Sequence, residues 1–324
     1  METKEILLSI CIPTYNRASI LVQTLENITS DPDFDDEVEV IISDNASTDH
    51  TAEAAKAFLT HPNIHYYRNE ENVIDHNFSI ALSHGNGAYL KLQNDYIQFA
   101  EGMIGLMKRH IREYWQQKPP LFFFKRVRKE VRNQPVIKCN SLDDFIYAVS
   151  YNATWISNYG CWKEQFEELK EKDRFFSKSL MQVDWSYRII DKYQQAIVIP
   201  QDLFKPIDTQ KLSKGGYNYF GVFVRNYFDI MHLFVEEGKV SKKSYKKDKK
   251  NTLVRFRERF VKYLVFPKQQ NSFDTGSTLE ILWNYYHEFP LFYLVIIAIG
   301  FAFLLKGISW PVRKIRSVFK KRSL

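Results

Sequence analysis

The stretch that decides the fold is LLSICIPTYNR, which occupies residues 7–17. It is an apolar run that stops at a proline and a polar cluster. VEVIISDNASTD, residues 38–49, repeats this design about 30 residues later. Each run predicts a buried strand whose C-terminal end carries polar side chains to one edge of a sheet. In open α/β sheets, that edge is where ligands bind.

Strands and helices alternate along the first half of the chain. Apolar runs predict strands over residues 6–12, 38–43, 64–67, 89–92, 121–124 and 196–199, and helical spacing predicts helices over residues 18–30, 50–59 and 77–83. This alternation predicts an α/β domain with a mostly parallel sheet and helices on both faces. From about residue 211 the pattern is mostly helical. We therefore expect three divisions, at residues 1–210, 211–289 and 290–324.

Composition indicates a globular protein, since 45% of the 324 residues are hydrophobic and 26% are charged. The three cysteines, Cys11, Cys139 and Cys161, have neither metal-ligand nor disulfide spacing, which fits a reducing compartment. The N-terminus lacks a basic region followed by an apolar core and predicts no signal peptide.

The net charge of +7 is concentrated at the C-terminus, where seven basic residues and no acidic ones follow from Lys306 onward. The preceding residues are formally neutral. A nucleic-acid-binding protein more often spreads its basic charge over a folded face, so we expect no nucleic-acid partner.

The tail itself has the pattern of a membrane-associated segment. Residues 290–305 carry no charge and span roughly 24 Å as a helix, short of the roughly 30 Å hydrocarbon core of a bilayer. The basic amphipathic pattern that follows suits anionic lipid. We expect a helix that dips into one leaflet and returns, with a bend at Gly300 or Gly307. A buried core or oligomer helix is the alternative.

The two N-terminal stretches, together with NVIDHN at residues 72–77 and GAYLKLQNDY at residues 87–96, resemble inverting glycosyltransferase family 2. That family has the Rossmann-like GT-A fold, which binds nucleotide-sugars. The resemblance implies a set of donor-binding residues: Pro13, Thr14, Tyr15, Arg17, Asp44, Asn45, Asn72 and Asp95. Ordinary turn chemistry is the alternative for the polar clusters.

The resemblance also implies a divalent cation, because the family places an Asp-x-Asp motif at the end of the last segment. Hard oxygen ligands of this kind suit Mg²⁺ or Mn²⁺. Asp95 matches the first acidic position and is the implied metal ligand, but Tyr96 and Ile97 replace the residues that follow. In the alternative, Asp95 binds ribose or sugar hydroxyls, and Lys91 or Arg68 supplies the positive charge.

The catalytic base implied by the resemblance is a carboxylate at the start of a later helix, and Asp184 occupies that place. A helix N-terminus favours its ionised form, as a base requires. A helix-capping role is the alternative for Asp184, and Asp173 and Asp191 are competing base candidates.

Aromatic residues near Asp184 in the sequence suggest a platform for the acceptor sugar, with Trp155, Tyr159 and Trp185 as its members. Core packing is the alternative for each of them.

Taken together, these features predict an inverting glycosyltransferase that is peripheral or monotopic at the cytoplasmic face of the bacterial inner membrane. Its donor would be a nucleoside-diphosphate sugar, most simply of the UDP type. Its acceptor would be a hydroxyl of a lipid-linked glycan in surface polysaccharide or O-antigen synthesis. One alternative is a non-catalytic membrane-bound protein with this fold. A nucleotidyltransferase is the other, although it would need a Gly-rich phosphate loop after the first strand.

Overall fold

The computed structural model describes residues 5–206, 216–266 and 273–320. The strands are β1 (Leu8–Thr14), β2 (Val38–Asp44), β3 (Ile64–Arg68), β4 (Tyr89–Leu92), β5 (Ile97–Phe99), β6 (Leu121–Phe124), β7 (Ile137–Cys139), β8 (Gly160–Trp162), β9 (Ala196–Pro200) and β10 (Phe204–Pro206). The α-helices are α1 (Ala18–Thr29), α2 (Thr51–Lys56), α3 (Asn77–Ser83), α4 (Met103–Glu113), α5 (Leu142–Val149), α6 (Lys163–Glu167), α7 (Met181–Tyr193), α8 (Tyr227–Glu236), α9 (Lys242–Val265), α10 (Thr278–Tyr286) and α11 (Pro290–Lys320). Every strand and helix predicted from the sequence is present, with ends that differ by a few residues.

The main sheet has the strand order β3-β2-β1-β4-β8. The first four strands are parallel, and β8 pairs with β4 in the antiparallel direction. β1 and β2 are buried along their whole length, as central strands covered on both faces are. The prediction of an α/β fold with a mostly parallel sheet is confirmed.

Helices lie on both faces of this sheet. On one face, Ile10 and Ile12 of β1 belong to the same core cluster as Leu21 of α1. On the other face, Asn77 at the start of α3 donates from Nδ2 to the carbonyl of Ser43 at 2.8 Å and accepts a bond from its hydroxyl at 2.6 Å. Both contacts fix the start of α3 beside the C-terminal end of β2.

Two smaller sheets complete the strand pairing. β5 and β10 are antiparallel, and β9 lies between β6, which is parallel to it, and β7, which is antiparallel. The sequence did not predict β5, β7, β8 or β10, each of which has three residues. Such short strands depend on partners that are distant in the chain.

The chain divides into two compact units. The first comprises residues 1–212 and 233–241 and contains all three sheets, and the second comprises residues 213–232 and 242–324 and is helical. The predicted three-part division stays a prediction.

In the second unit, α11 is one continuous helix from Pro290 to Lys320. The expected dip and return is therefore wrong, since helical backbone runs through both Gly300 and Gly307. Pro290–Gly307 is long and apolar enough to cross a membrane by length and composition. Most of its large apolar side chains are exposed, including Leu294, Ile297 and Leu304, which does not match a buried core helix. The last predicted basic residues, in 321–324, lie outside the described part of the chain.

Candidate functional site

The C-terminal ends of β1, β2 and β3 meet at one edge of the main sheet. The register pairs Thr14 with Asp44, and Asp44 with Arg68. Three side chains from segments far apart in sequence therefore lie side by side. This is the edge at which the sequence predicted a ligand site.

Asp44 is held at this edge by burial and by three hydrogen bonds. It is completely buried. Its Oδ1 accepts a bond from the backbone N–H of Ser47 at 2.9 Å. Its Oδ2 accepts bonds from the Tyr66 hydroxyl at 2.6 Å and from Arg68 Nη1 at 2.8 Å. Burial, together with the bond to Asp44, raises the pKa of Tyr66 to about 12, so this hydroxyl remains a donor at neutral pH.

Asn45 and Asn72, both predicted donor-binding residues, are brought together by the structure. Asn45 Nδ2 donates to Asn72 Oδ1 at 2.8 Å and to the carbonyl of Ile74 at 3.1 Å. Asn45 Oδ1 accepts from the backbone N–H of Val73 at 2.9 Å. Asn45 thus holds the loop after β3 against the end of β2.

Asp95 lies at the same edge because it follows β4, which is parallel to β1 in the main sheet. Arg17 Nη1 donates to Asp95 Oδ1 at 2.7 Å, and the hydroxyl of Thr14 donates to Oδ2 at 2.8 Å. The hydroxyl of Thr24 donates to the Asp95 carbonyl at 2.6 Å. Burial raises the pKa of the Asp95 carboxyl, while Arg17 and Thr14 act in the opposite direction. Three predicted donor-binding residues, Thr14, Arg17 and Asp95, therefore form one cluster.

The two remaining donor-binding candidates differ in exposure. Pro13 lies inside β1 and is buried, opposite Ser43 in the register. Tyr15 is at the tip of the strand and is 41% exposed, so its ring is open to a ligand.

Asn16 joins the loop after β1 to the loop after β2. Its backbone N–H donates to the hydroxyl of Ser47 at 2.9 Å. Its Oδ1 accepts from the backbone N–H of Thr48 at 2.7 Å and of Asp49 at 3.3 Å. Asn16 has a φ of 51°, in the left-handed region that Asn tolerates better than most residues. The loop that contains Tyr15 is therefore held to the loop after β2 by these hydrogen bonds.

The residues around Asp95 do not fit a divalent cation. Both carboxylate oxygens already accept hydrogen bonds, and one of these comes from a guanidinium. In the described residues, no group of three or more His, Cys, Asp or Glu side chains could hold a metal ion. Mg²⁺ commonly uses one or two carboxylates, but here the single candidate is occupied by a protein cation.

Lys91 does not supply positive charge to this edge. Its side chain is fully buried in β4, and Nζ donates to the backbone carbonyls of Leu92, at 2.8 Å, and Ser157. Arg68 is the other residue considered as a source of positive charge at this edge, and its side chain is 43% exposed beside Asp44.

Asp184, the predicted base, lies in the first turn of α7 and is 1% exposed. Arg174 Nε donates to its Oδ1 at 2.9 Å, and Arg188 Nε lies 3.0 Å from its Oδ2. Burial raises the pKa of the Asp184 carboxyl, and the two arginines oppose this shift. Both oxygens therefore face arginines in this arrangement.

Two members of the predicted acceptor platform are core residues. The Tyr159 and Trp185 side chains are buried, and their ring centroids are 5.4 Å apart. Their burial is what the core-packing alternative expects, and their assignment to an acceptor platform stays a prediction. Trp155 is partly buried and packs edge-on against Phe204 at 5.3 Å.

Asp173, one of the competing carboxylates, is more accessible. Its Oδ2 lies 3.1 Å from His76 Nε2, and its side chain is 45% exposed. The hydroxyl of Ser79 donates to Oδ1 at 3.4 Å. Because His76 immediately precedes α3, this pair adjoins the end of β2. His76 has no role among the sequence predictions, although it lies within the NVIDHN segment at residues 72–77.

Comparison with known proteins finds similarity in the N-terminal part of the chain. Residues 9–132 match the family model described as glycosyl transferase family 2. The N-terminal part of the chain is therefore similar to glycosyl transferase family 2. The matched segment contains Thr14, Arg17, Asp44 and Asp95, so the cluster at the sheet edge lies within the matched residues.

Among sequence relatives, the chain is 35% identical over 108 residues to abequosyltransferase RfbV of Salmonella typhimurium. The match covers 32% of each protein, so it spans about a third of the length of this curated relative.

Among solved structures, S. aureus TarS 1-349 in complex with UDP-GlcNAc superposes with a TM-score of 0.55 at 13% identity, over 86% of this chain and 81% of that one. A mannosyltransferase from Pyrobaculum calidifontis, in complex with GDP-Man and Mn²⁺, gives a TM-score of 0.52 at 15% identity, over 93% and 81%. These likenesses show that the fold is that of GT-A glycosyltransferases.

Proposed function

We propose that this protein is an inverting glycosyltransferase that moves a sugar from a nucleoside diphosphate to a hydroxyl group. The observation that carries the proposal is the convergence of Thr14, Arg17, Asp44 and Asp95 at the carboxyl edge of a family 2 domain. Tyr15 would stack on the base, and Asp44 with Asn45 would bind the base or ribose. The relatives support a nucleotide-sugar donor, since TarS is described in complex with UDP-GlcNAc.

The transfer would be a single displacement at the anomeric carbon. The acceptor oxygen forms a bond to this carbon while the bond to the diphosphate oxygen breaks. The electron pair of the broken bond leaves with the nucleoside diphosphate, and the acceptor proton passes to a protein carboxylate. No metal ion is needed to balance this step.

Two carboxylates are candidates for the base. Asp184 is the one implied by the family resemblance, and it would act only after an arginine moves away from one of its oxygens. Asp173 is the second, favoured by its exposure and its contact with His76. Asp184→Asn and Asp173→Asn, compared for transfer and for donor binding, separate them. The base is the residue whose loss abolishes transfer and leaves nucleotide affinity intact.

The experiment that tests the donor site is a thermal-shift screen of the full chain against UDP, GDP, dTDP and CDP, each with and without Mn²⁺. A ligand that binds the folded state raises the melting temperature by mass action. A rise in melting temperature with one nucleotide, smaller in Tyr15→Ala, supports the donor site and identifies the nucleobase of the donor. Absence of a shift with every nucleotide would refute the donor site and favour a non-catalytic protein with this fold.

The acceptor is proposed to be lipid-linked, at the cytoplasmic face of the bacterial inner membrane, in surface polysaccharide synthesis. The support is the exposed apolar surface of α11 over residues 293–305 and the basic residues from Lys306 onward in the sequence. The similarity to an abequosyltransferase agrees with this proposal. A chain truncated after residue 289 should move from the membrane fraction to the soluble fraction. A full-length chain that stays soluble without detergent would contradict the membrane proposal.

A further inference from the structure

The cation nearest to Asp95 is a protein side chain. The side chain of Arg17 is 26% exposed, whereas that of Asp95 is 3% exposed. The guanidinium therefore has a buried side, bonded to the carboxylate, and a side that reaches solvent. Its carbon lies 5.2 Å from the centroid of the Tyr96 ring, which adds a second contact to hold its orientation.

Arg17 keeps donors for a ligand. A guanidinium has five N–H donors in a fixed fork, and Arg17 Nη1 uses one of them on Asp95. In the ranges that the structure describes, the guanidinium has no other hydrogen-bond acceptor. The fork geometry of arginine matches phosphate oxygens.

The position of Arg17 is fixed by its surroundings. Its backbone N–H donates to the hydroxyl of Thr51 at 3.1 Å, and its carbonyl accepts bonds from the first turn of α1. Asp95 is fixed in turn by Thr14 and Thr24. The ion pair is therefore built into the ends of β1 and β4 and the start of α1.

We infer that Arg17, positioned by Asp95, binds the diphosphate of the donor in the place where a divalent cation is expected, so that donor binding does not depend on metal. This inference rests on the proposed glycosyltransferase function. Tyr96 occupies the middle position of the Asp-x-Asp motif, and its ring contacts the arginine. Ile97 stands at the position of the second carboxylate. The guanidinium stabilises the charge that develops on the leaving diphosphate, and Asp95 is a positioning residue.

Titration calorimetry on the full-length protein tests the inference, with UDP and uridine as probes after removal of metals by chelation. The wild-type protein should bind UDP without metal, and added Mn²⁺ should not change the affinity. Arg17→Ala should weaken UDP binding about tenfold to a hundredfold, the range for a charged hydrogen bond. Uridine, which has no phosphate, should bind both proteins equally.

Two further variants sharpen the result. Arg112 is also ion-paired with a carboxylate, Glu37, but it lies in α4, and Arg112→Ala should leave UDP affinity unchanged. Asp95→Asn should weaken UDP binding less than Arg17→Ala does and should keep it independent of Mn²⁺. Arg17→Lys, which retains the charge, should recover part of the affinity and guards against a folding defect in Arg17→Ala.

The outcomes separate this inference from the proposed function. UDP binding that requires Mn²⁺ and is lost in Asp95→Asn would overturn the arginine role and leave the glycosyltransferase proposal standing. A wild-type protein that binds none of UDP, GDP, dTDP and CDP under any condition would overturn both. If another nucleotide binds in place of UDP, the same comparison is made with that nucleotide and its nucleoside.

Discussion

Replacing the buried Lys91 with methionine should remove much of the pH dependence of stability between pH 7 and pH 9. Lys91 lies in β4 with its Nζ on two backbone carbonyls. Burial lowers its pKa from 10.5 to about 7. An unfolded lysine holds its proton up to about 10.4. Between these values the unfolded state binds more protons than the folded state, so stability rises with pH.

The size of the effect follows from the two pKa values. The proton-linked contribution of Lys91 to the free energy of unfolding should increase by about 2 kcal/mol between pH 7 and pH 9. Methionine fills nearly the same space and has no proton to lose. The substitution also removes the donor to the carbonyls of Leu92 and Ser157, and this loss lowers the free energy of unfolding by an amount that is independent of pH.

The assay is urea unfolding at pH 7, 8 and 9, followed by tryptophan fluorescence. Trp162, in the strand paired with β4, is fully buried and reports on this part of the sheet. At each pH, the free energy of unfolding of the variant is subtracted from that of the wild type. This difference removes the contributions of the other groups that titrate in this range. Identical pH profiles for the two proteins would refute the reasoning, because they would mean that Lys91 keeps its proton in the folded state.

Further predictions concern the site, the sheet and the tail. Tyr66→Phe removes one bond to Asp44 and should lower the free energy of unfolding by about 1 kcal/mol, measured by urea unfolding; an unchanged midpoint would contradict the contact. Gly87→Ala would place its Cβ 2.8 Å from the backbone nitrogen of Ser9 and should cost about 1–3 kcal/mol in the same assay, whereas full stability would show that the strand end can shift. Ile297→Asp places a charge on the exposed apolar face of α11 and should release the protein from anionic vesicles in a flotation assay; equal flotation of variant and wild type would argue against insertion of this face.

The fold of the first unit was predictable where strands carry long apolar runs. β1 and β2 are buried on both faces, so nearly every residue in them is apolar or small and the run stands out. The three-residue strands β5, β7, β8 and β10 give no such signal because pairing with distant segments defines them. The sequence does not predict the continuous course of α11, because Gly300 and Gly307 permit a bend that helical backbone does not require.

The site was predictable in its members and less so in its pairings. Motif positions indicated Thr14, Arg17 and Asp95, but local sequence gives no sign that Arg17 and Asp95, 78 positions apart, form an ion pair. The burial of Trp185 is also absent from local sequence, because an aromatic residue in a helix buried on almost every side has the same sequence pattern as one that lines a cleft. The arginines around Asp184 likewise come from tertiary contacts.

The bond network of Asn16 has a consequence for the thermodynamics of ligand binding. Because its side chain bonds two backbone N–H groups of the other loop, the loops after β1 and β2 lose conformational freedom when the protein folds. A ligand that enters between Tyr15 and Asp44 then meets a surface that is already ordered, and it forfeits little affinity to loop ordering. The loss of conformational entropy in these two loops thus occurs during folding and not during ligand binding.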